Sequence, residues 1–102
     1  MTTQNIKEVV LSNYRIFETE TFIDTLNKIQ KDKREKIYEK ILNYVYPQLE
    51  ITPFYGQNIK KLANYDPDTW RYRIGKYRLF YEVDKKENII SLTAIEFRSK
   101  AY

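Results

Sequence analysis

The stretch that most constrains this chain is Asp68–Glu82, D-T-W-R-Y-R-I-G-K-Y-R-L-F-Y-E. Two runs, Thr69–Ile74 and Tyr77–Val83, alternate bulky and charged residues and are separated only by Gly75 and Lys76. Period-2 alternation around a two-residue loop with Gly first predicts a β-hairpin with a II′ turn. Ile74 then faces Tyr77, Arg73 faces Arg78, Tyr72 faces Leu79, Arg71 faces Phe80 and Trp70 faces Tyr81. Successive side chains of a strand point to opposite faces. Trp70, Tyr72, Ile74, Tyr77, Leu79, Tyr81 and Val83 therefore share one face, which has the character of a core. Arg71, Arg73, Arg78 and Phe80 share the other.

That second face is costly on stability grounds alone. Like charges directly opposite one another destabilise a hairpin by roughly a few tenths of a kcal/mol when exposed. Two readings fit it. The arginines can be the wet face of a half-buried sheet. Alternatively, three guanidiniums around a phenyl ring can be a surface for a polyanion with flat bases, because Arg chelates phosphate and rings stack on bases. The alternation by itself does not choose between them.

The placement of charge adds to this. The chain has 102 residues and a net charge of +4. Residues 1–68 carry ten Lys/Arg against ten Asp/Glu, whereas residues 69–102 carry eight against four. The whole excess thus falls on the expected sheet, the distribution of an electrostatic footprint for nucleic acid or an acidic protein. A chain of this length makes one domain with one modest core. It has no apolar run near the ~18 residues of a membrane span, and no signal-peptide core. The absence of Cys rules out disulfides and thiolate chemistry and is compatible with a cytoplasmic location. His is absent too, so no cofactor or metal site is expected, and acid–base chemistry falls to Tyr, Lys, Arg or carboxylates.

Taken in order, residues 1–12 form an N-terminal extension of weak periodicity, and residues 13–102 a single domain. Tyr14–Glu18 alternates and reads as a first strand. Thr21 with Asp24 gives a capping-box start for a helix in which Phe22, Ile23, Leu26 and Ile29 recur at helical spacing. Asp32 with Glu35 caps a second helix, from Lys33 to Tyr44 or Val45, with Ile37, Tyr38, Ile41, Leu42 and Val45 on one side. Its charged side reads as solvated surface. Pro47 is expected to end it, and Leu49–Asn58, with Pro, Gly and Asn, reads as a loop. The last strand runs from Ile89 to about Phe97, in a register left open because I-I-S-L-T-A-I-E-F can bury either parity. The expected class is α+β: an N-terminal strand, an antiparallel helical hairpin, then a three-stranded antiparallel sheet. The helices would cover the Trp70/Tyr72/Leu79/Tyr81 face and leave the arginines open.

Three linked pieces then carry a resemblance. K-K-L-A-N-Y is followed by W-R-Y-R-I-G-K-Y-R-L-F-Y-E-V and by a strand closing with I-E-F-R-S-K-A-Y. An aromatic-Arg-x-Arg-x-Gly-x-Tyr-Arg hairpin followed by a strand ending in Arg-x-x-x-Tyr resembles the RelE/ParE superfamily of toxins from toxin–antitoxin pairs. The likeness covers roughly residues 14–102 in element order and is specific over residues 60–102. It implies a RelE-like fold and a type II toxin neutralised by a cognate antitoxin in a toxin–antitoxin hetero-oligomer. RelE-like members cut messenger RNA on the ribosome, whereas ParE-like members inhibit DNA gyrase without cutting RNA. The presence of both Arg98 and Tyr102 favours the endoribonuclease (mRNA interferase), with no membrane partner.

Under that resemblance, Arg73 and Arg78 clamp the scissile phosphate. Arg98 stabilises the leaving oxygen, and Tyr102 takes the proton of the attacking 2′-OH, its phenol lowered by nearby guanidiniums. Arg71 and Phe80 hold a neighbouring phosphate and base, while Lys60, Lys61 and Lys76 give a basic approach for RNA. Phe97 stands where many members carry His, so the chemistry would rely on positioning of the substrate by the ribosome.

Overall fold

In the computed structural model, residues 13–98 are described; the N-terminal extension and Tyr102 lie outside them. Five strands form one sheet in the order β1-β5-β4-β3-β2. They are β1 (Arg15–Glu18), β2 (Ile59–Lys61), β3 (Thr69–Ile74), β4 (Tyr77–Asp84) and β5 (Ile89–Phe97). Helices α1 (Glu20–Asn27), α2 (Lys31–Lys40) and α3 (Tyr46–Ile51) lie between β1 and β2. The α+β class holds, with a larger sheet than the sequence implied. Ile59–Lys61 adds an edge strand antiparallel to β3, and β1 joins the far side parallel to β5.

The hairpin has the expected register at every position from Thr69↔Glu82 to Ile74↔Tyr77, including Arg73↔Arg78 and Arg71↔Phe80. Gly75 has φ 56, while Lys76 keeps a negative φ, the backbone signature of a II′ turn. Tyr72, Ile74, Tyr77, Leu79 and Tyr81 are buried against Phe22, Leu26, Ile41, Val45 and Leu49 from the helices. The Tyr81 hydroxyl, inside this core, donates to the Pro53 carbonyl at 2.7 Å, which satisfies both groups without water.

The open register of β5 resolves in an unexpected way, because both parities are buried. Ile95 pairs with Leu79 and lies in the core, yet further on Tyr81 pairs with Leu92, and Leu92 and Ile90 are buried in turn. Thr93 is the extra residue of a β-bulge at this point, and its hydroxyl donates to the Phe80 carbonyl at 3.2 Å. The bulge lets an irregular apolar run keep one face on the core.

Three helix boundaries differ from the expected ones. The cap of α1 is Thr19, not Thr21: its Oγ accepts the Phe22 N–H at 3.2 Å and donates to Leu92 of β5 at 2.6 Å. That second bond, 73 residues distant in sequence, ties the helix start to the sheet. The α2 helix begins at Lys31 behind Gln30, which makes no side-chain cap, so Asp32 lies in the first turn and favours the helix dipole. Pro47 does not end the helical segment. Residues Ile41–Val45 widen into a π turn in which the Tyr46 N–H bonds to the Ile41 carbonyl, and α3 continues to Ile51. A proline in a regular helix clashes with the carbonyl four residues back; the wider turn makes room for its ring. The loop before β2 accordingly begins after Ile51.

Candidate functional site: an arginine face on the open side of the sheet

All three helices pack on one side of the sheet, and among the described residues nothing covers the other. Cross-strand pairing orders that open face into rows. Arg73, Arg78 and Glu96 form one row across β3, β4 and β5; Lys60, Arg71, Phe80 and Ala94 form the next. Arg98 follows β5, and its N–H donates to the Lys76 carbonyl at 2.6 Å, which holds it beside the hairpin tip.

Each guanidinium has a distinct environment. Arg71 is half-buried and donates from Nη1 to the Asn58 carbonyl at 3.0 Å. Burial first, and then repulsion from Arg73, Arg78 and Arg98, pushes its pKa below the ordinary arginine value, so Arg71 senses the other three cations. Arg78 rests over the Phe80 ring, 5.6 Å from Cζ to centroid. Its Nε is buried and has no hydrogen-bond partner among the described residues. Arg73 and Arg98 are exposed. Among the described residues the one ion pair joins Lys61 to Asp68 at 3.2 Å, so no carboxylate is ion-paired with the arginine cluster. Uncompensated guanidiniums on a rigid sheet are preorganised for phosphate, since no internal ion pair must break first.

Arg71, Arg73, Arg78, Arg98, Phe80 and Lys60 are thus brought together. Lys61 is not: it pairs with Trp70 in register, lies on the opposite face, and is engaged by Asp68. Lys76 sits at the turn and borders a hollow shared with Lys33, Lys36 and Lys40 of α2. Phe97 is on the helix side, edge-on to Tyr77 at 5.3 Å. Tyr102 lies outside the described residues, so its distance to the cluster is not part of this geometry.

Two contributors were not singled out from the sequence. Asn58 anchors Arg71 through a main-chain carbonyl, a role that any residue there could fill and that leaves no side-chain signal. Glu96 enters the Arg73–Arg78 row only once the β5 register is known. Two other features lie away from this face. Glu18 accepts hydrogen bonds from Tyr38 and Tyr46, both at 2.6 Å, and locks β1 to α2 and α3. Lys33, Lys36 and Lys40 of α2 border the hairpin tip, while Asp32, Glu35 and Glu39 line a second hollow that Lys36 shares.

Comparison with known proteins agrees with this architecture. The family model described as the ParE toxin of type II toxin–antitoxin system, parDE, matches residues 16–102. No curated protein sequence matches the chain. Among solved structures, the fold is similar to that in the toxin–antitoxin complex RelBE2 from Mycobacterium tuberculosis, with a TM-score of 0.68 and 21% identity over 89% of this chain and 98% of that one. It is also similar to the archaeal RelE–RelB complex from Pyrococcus horikoshii OT3, at 0.65 and 24% over 87% and 99%. The YoeB dimer from Staphylococcus aureus gives 0.64 and 18% over 85% and 99%. With a five-stranded sheet, one face under helices and the other bearing arginines, and a family match across nearly the whole domain, this chain belongs to the RelE/ParE superfamily of toxins from type II toxin–antitoxin systems.

Proposed function

We propose that the arginine face binds RNA and that the chain is an endoribonuclease that cuts messenger RNA on the ribosome. The observation that carries this reading is the convergence of Arg71, Arg73, Arg78 and Arg98 on an open sheet face without an ion-paired carboxylate among the described residues. In the reaction, a ribose 2′-oxygen attacks the adjoining phosphorus and the P–O5′ bond breaks, leaving a 2′,3′-cyclic phosphate and a 5′-hydroxyl. Arg73 and Arg78 clamp the phosphate and stabilise the charge that builds on its oxygens, and Arg98 faces the departing 5′-oxygen. Phe80 with Arg71 holds the next base and phosphate, and Lys60 extends the cationic track. Lys61 and Lys76 flank this track rather than line it. Tyr102 is the proton acceptor that the superfamily resemblance implies. The partner that silences the chain is an acidic antitoxin covering the same face, in line with the relatives that were solved as toxin–antitoxin complexes.

A second reading has its own support, because the matching family model is that of ParE toxins. On that reading the arginine face grips DNA gyrase and no RNA is cut. Incubation with programmed ribosomes and, separately, with gyrase and relaxed plasmid distinguishes the two. The nuclease reading expects message cleavage that Arg78→Ala lowers by at least 100-fold, with supercoiling untouched. Intact message together with blocked supercoiling would establish the gyrase reading in its place.

A further inference from the structure

Among the residues of the arginine face, one carboxylate stands in line with the phosphate clamp. Glu96 pairs in register with Arg78, which in turn pairs with Arg73, so the three form one row across adjacent strands. Strand pairing sets neighbouring side chains in such a row about 4.5–5.5 Å apart at Cβ. Glu96 is exposed, and no basic nitrogen lies within ion-pair distance of it among the described residues, although Arg78 is directly across. A residue retained only to offset the Arg73–Arg78 repulsion would be expected in a salt bridge with one of them. Its backbone is firmly set, because the preceding Ile95 N–H donates to Thr25 Oγ of α1 at 2.9 Å. Beyond Leu92 the β5 edge is free of β1, which pairs only with Ile89–Leu92. The row therefore ends not at another strand but beside a hollow bordered by Thr25, Lys28 and Lys33, where a ribose can lie.

We infer that Glu96 is a catalytic residue: its carboxylate accepts the proton of the attacking 2′-OH while Arg73 and Arg78 hold the phosphate. This rests on the nuclease reading and changes one part of it, with Glu96 taking the acceptor role that the superfamily resemblance gives to Tyr102. With no His in the chain, a carboxylate is the acceptor that is already in its basic form at neutral pH, whereas a phenol is basic only near its ordinary pKa of about 10. The balance is simple. The 2′-O–H bond breaks and its proton passes to Glu96, the 2′-O–P bond forms, and P–O5′ breaks with the 5′-oxygen taking a proton from solvent. The charged groups around Glu96 are Arg78 across the strand pair with Arg73 beyond it, Arg98 two residues on, and Lys28 and Lys33 at the hollow it borders, which Thr25, Ile29 and Gln30 also line. Guanidinium and ammonium groups carry no acceptor site, so none of them replaces it.

Single-turnover message cleavage on programmed ribosomes, followed from pH 6 to 9, tests this. With Glu96 as acceptor the wild-type rate is nearly flat across that range; Glu96→Gln slows it about 100-fold or more, and Glu96→Asp recovers at least tenfold of the loss. Unchanged circular dichroism in the variants ties the effect to chemistry. A wild-type rate that climbs about tenfold per pH unit towards pH 9, with Glu96→Gln within twofold of wild type, would overturn the assignment and give the proton to a phenol such as Tyr102. If the wild-type chain leaves the message whole, the nuclease reading fails and the role of Glu96 falls with it.

Discussion

At the scale of single residues, one buried and two half-buried phenols show how a polar atom can be placed in or against a small core. Tyr38 and Tyr46 both donate to Glu18, and Tyr81 donates to a main-chain carbonyl. Burial first, then the hydrogen bond and charge of Glu18, pushes the Tyr38 phenol up to about 12. Burial also raises Tyr46 and Tyr81. An unfolded phenol titrates near 10, below these folded values. The unfolded chain therefore loses its protons first as pH rises, and the stability that the phenols contribute is intact below pH 10. It should be lost between pH 10 and about 12 for Tyr38 and continue to fall above that. Far-UV circular dichroism against pH checks this, and Glu18→Ala should move the alkaline midpoint to lower pH by removing the shared acceptor. These pairings were not legible in the sequence. Glu18 lies 20 and 28 residues from its tyrosines, and nothing local marks a carboxylate as the partner of a distant ring.

At the scale of elements, legibility followed the range of the interactions involved. The hairpin was readable to the residue because its turn chemistry and its alternation are local and agree. Gly75 is the position on which that register turns. Its left-handed φ of 56 strains any residue with a Cβ, although the space around it is open. Gly75→Val should therefore destabilise the fold by about 1–3 kcal/mol, read from urea unfolding, with strain and not crowding as the cause. The helix boundaries were misjudged where distant contacts overrode local signals. Thr19 takes the cap from Thr21 because its hydroxyl also reaches Leu92 of β5, and Pro47 is absorbed because a π turn opens the helix ahead of it. Strand β2 is three residues long, too short to show alternation. The mixed parity of β5 hid a bulge at Thr93, which is why Glu96 could not be placed in advance.

At the scale of the whole molecule, the division of labour between the faces of the sheet explains why charge placement carried more meaning than net charge. The helices need one face for a core, so every arginine of the alternating hairpin is turned to the other, and pairing collects them into two adjacent rows. In the proposed nuclease, this location and not the chain's basic character in general carries the activity. Cleavage rates on programmed ribosomes for two variants that lose equal charge test it most directly. One is Arg73→Ala/Arg78→Ala on the arginine face; the other is Lys85→Ala/Lys86→Ala at the exposed β4–β5 turn. The expected loss is about 1,000-fold or more for the arginine pair, with no more than a few-fold change for the lysine pair. Equal losses from the two variants, with both still folded, would contradict it.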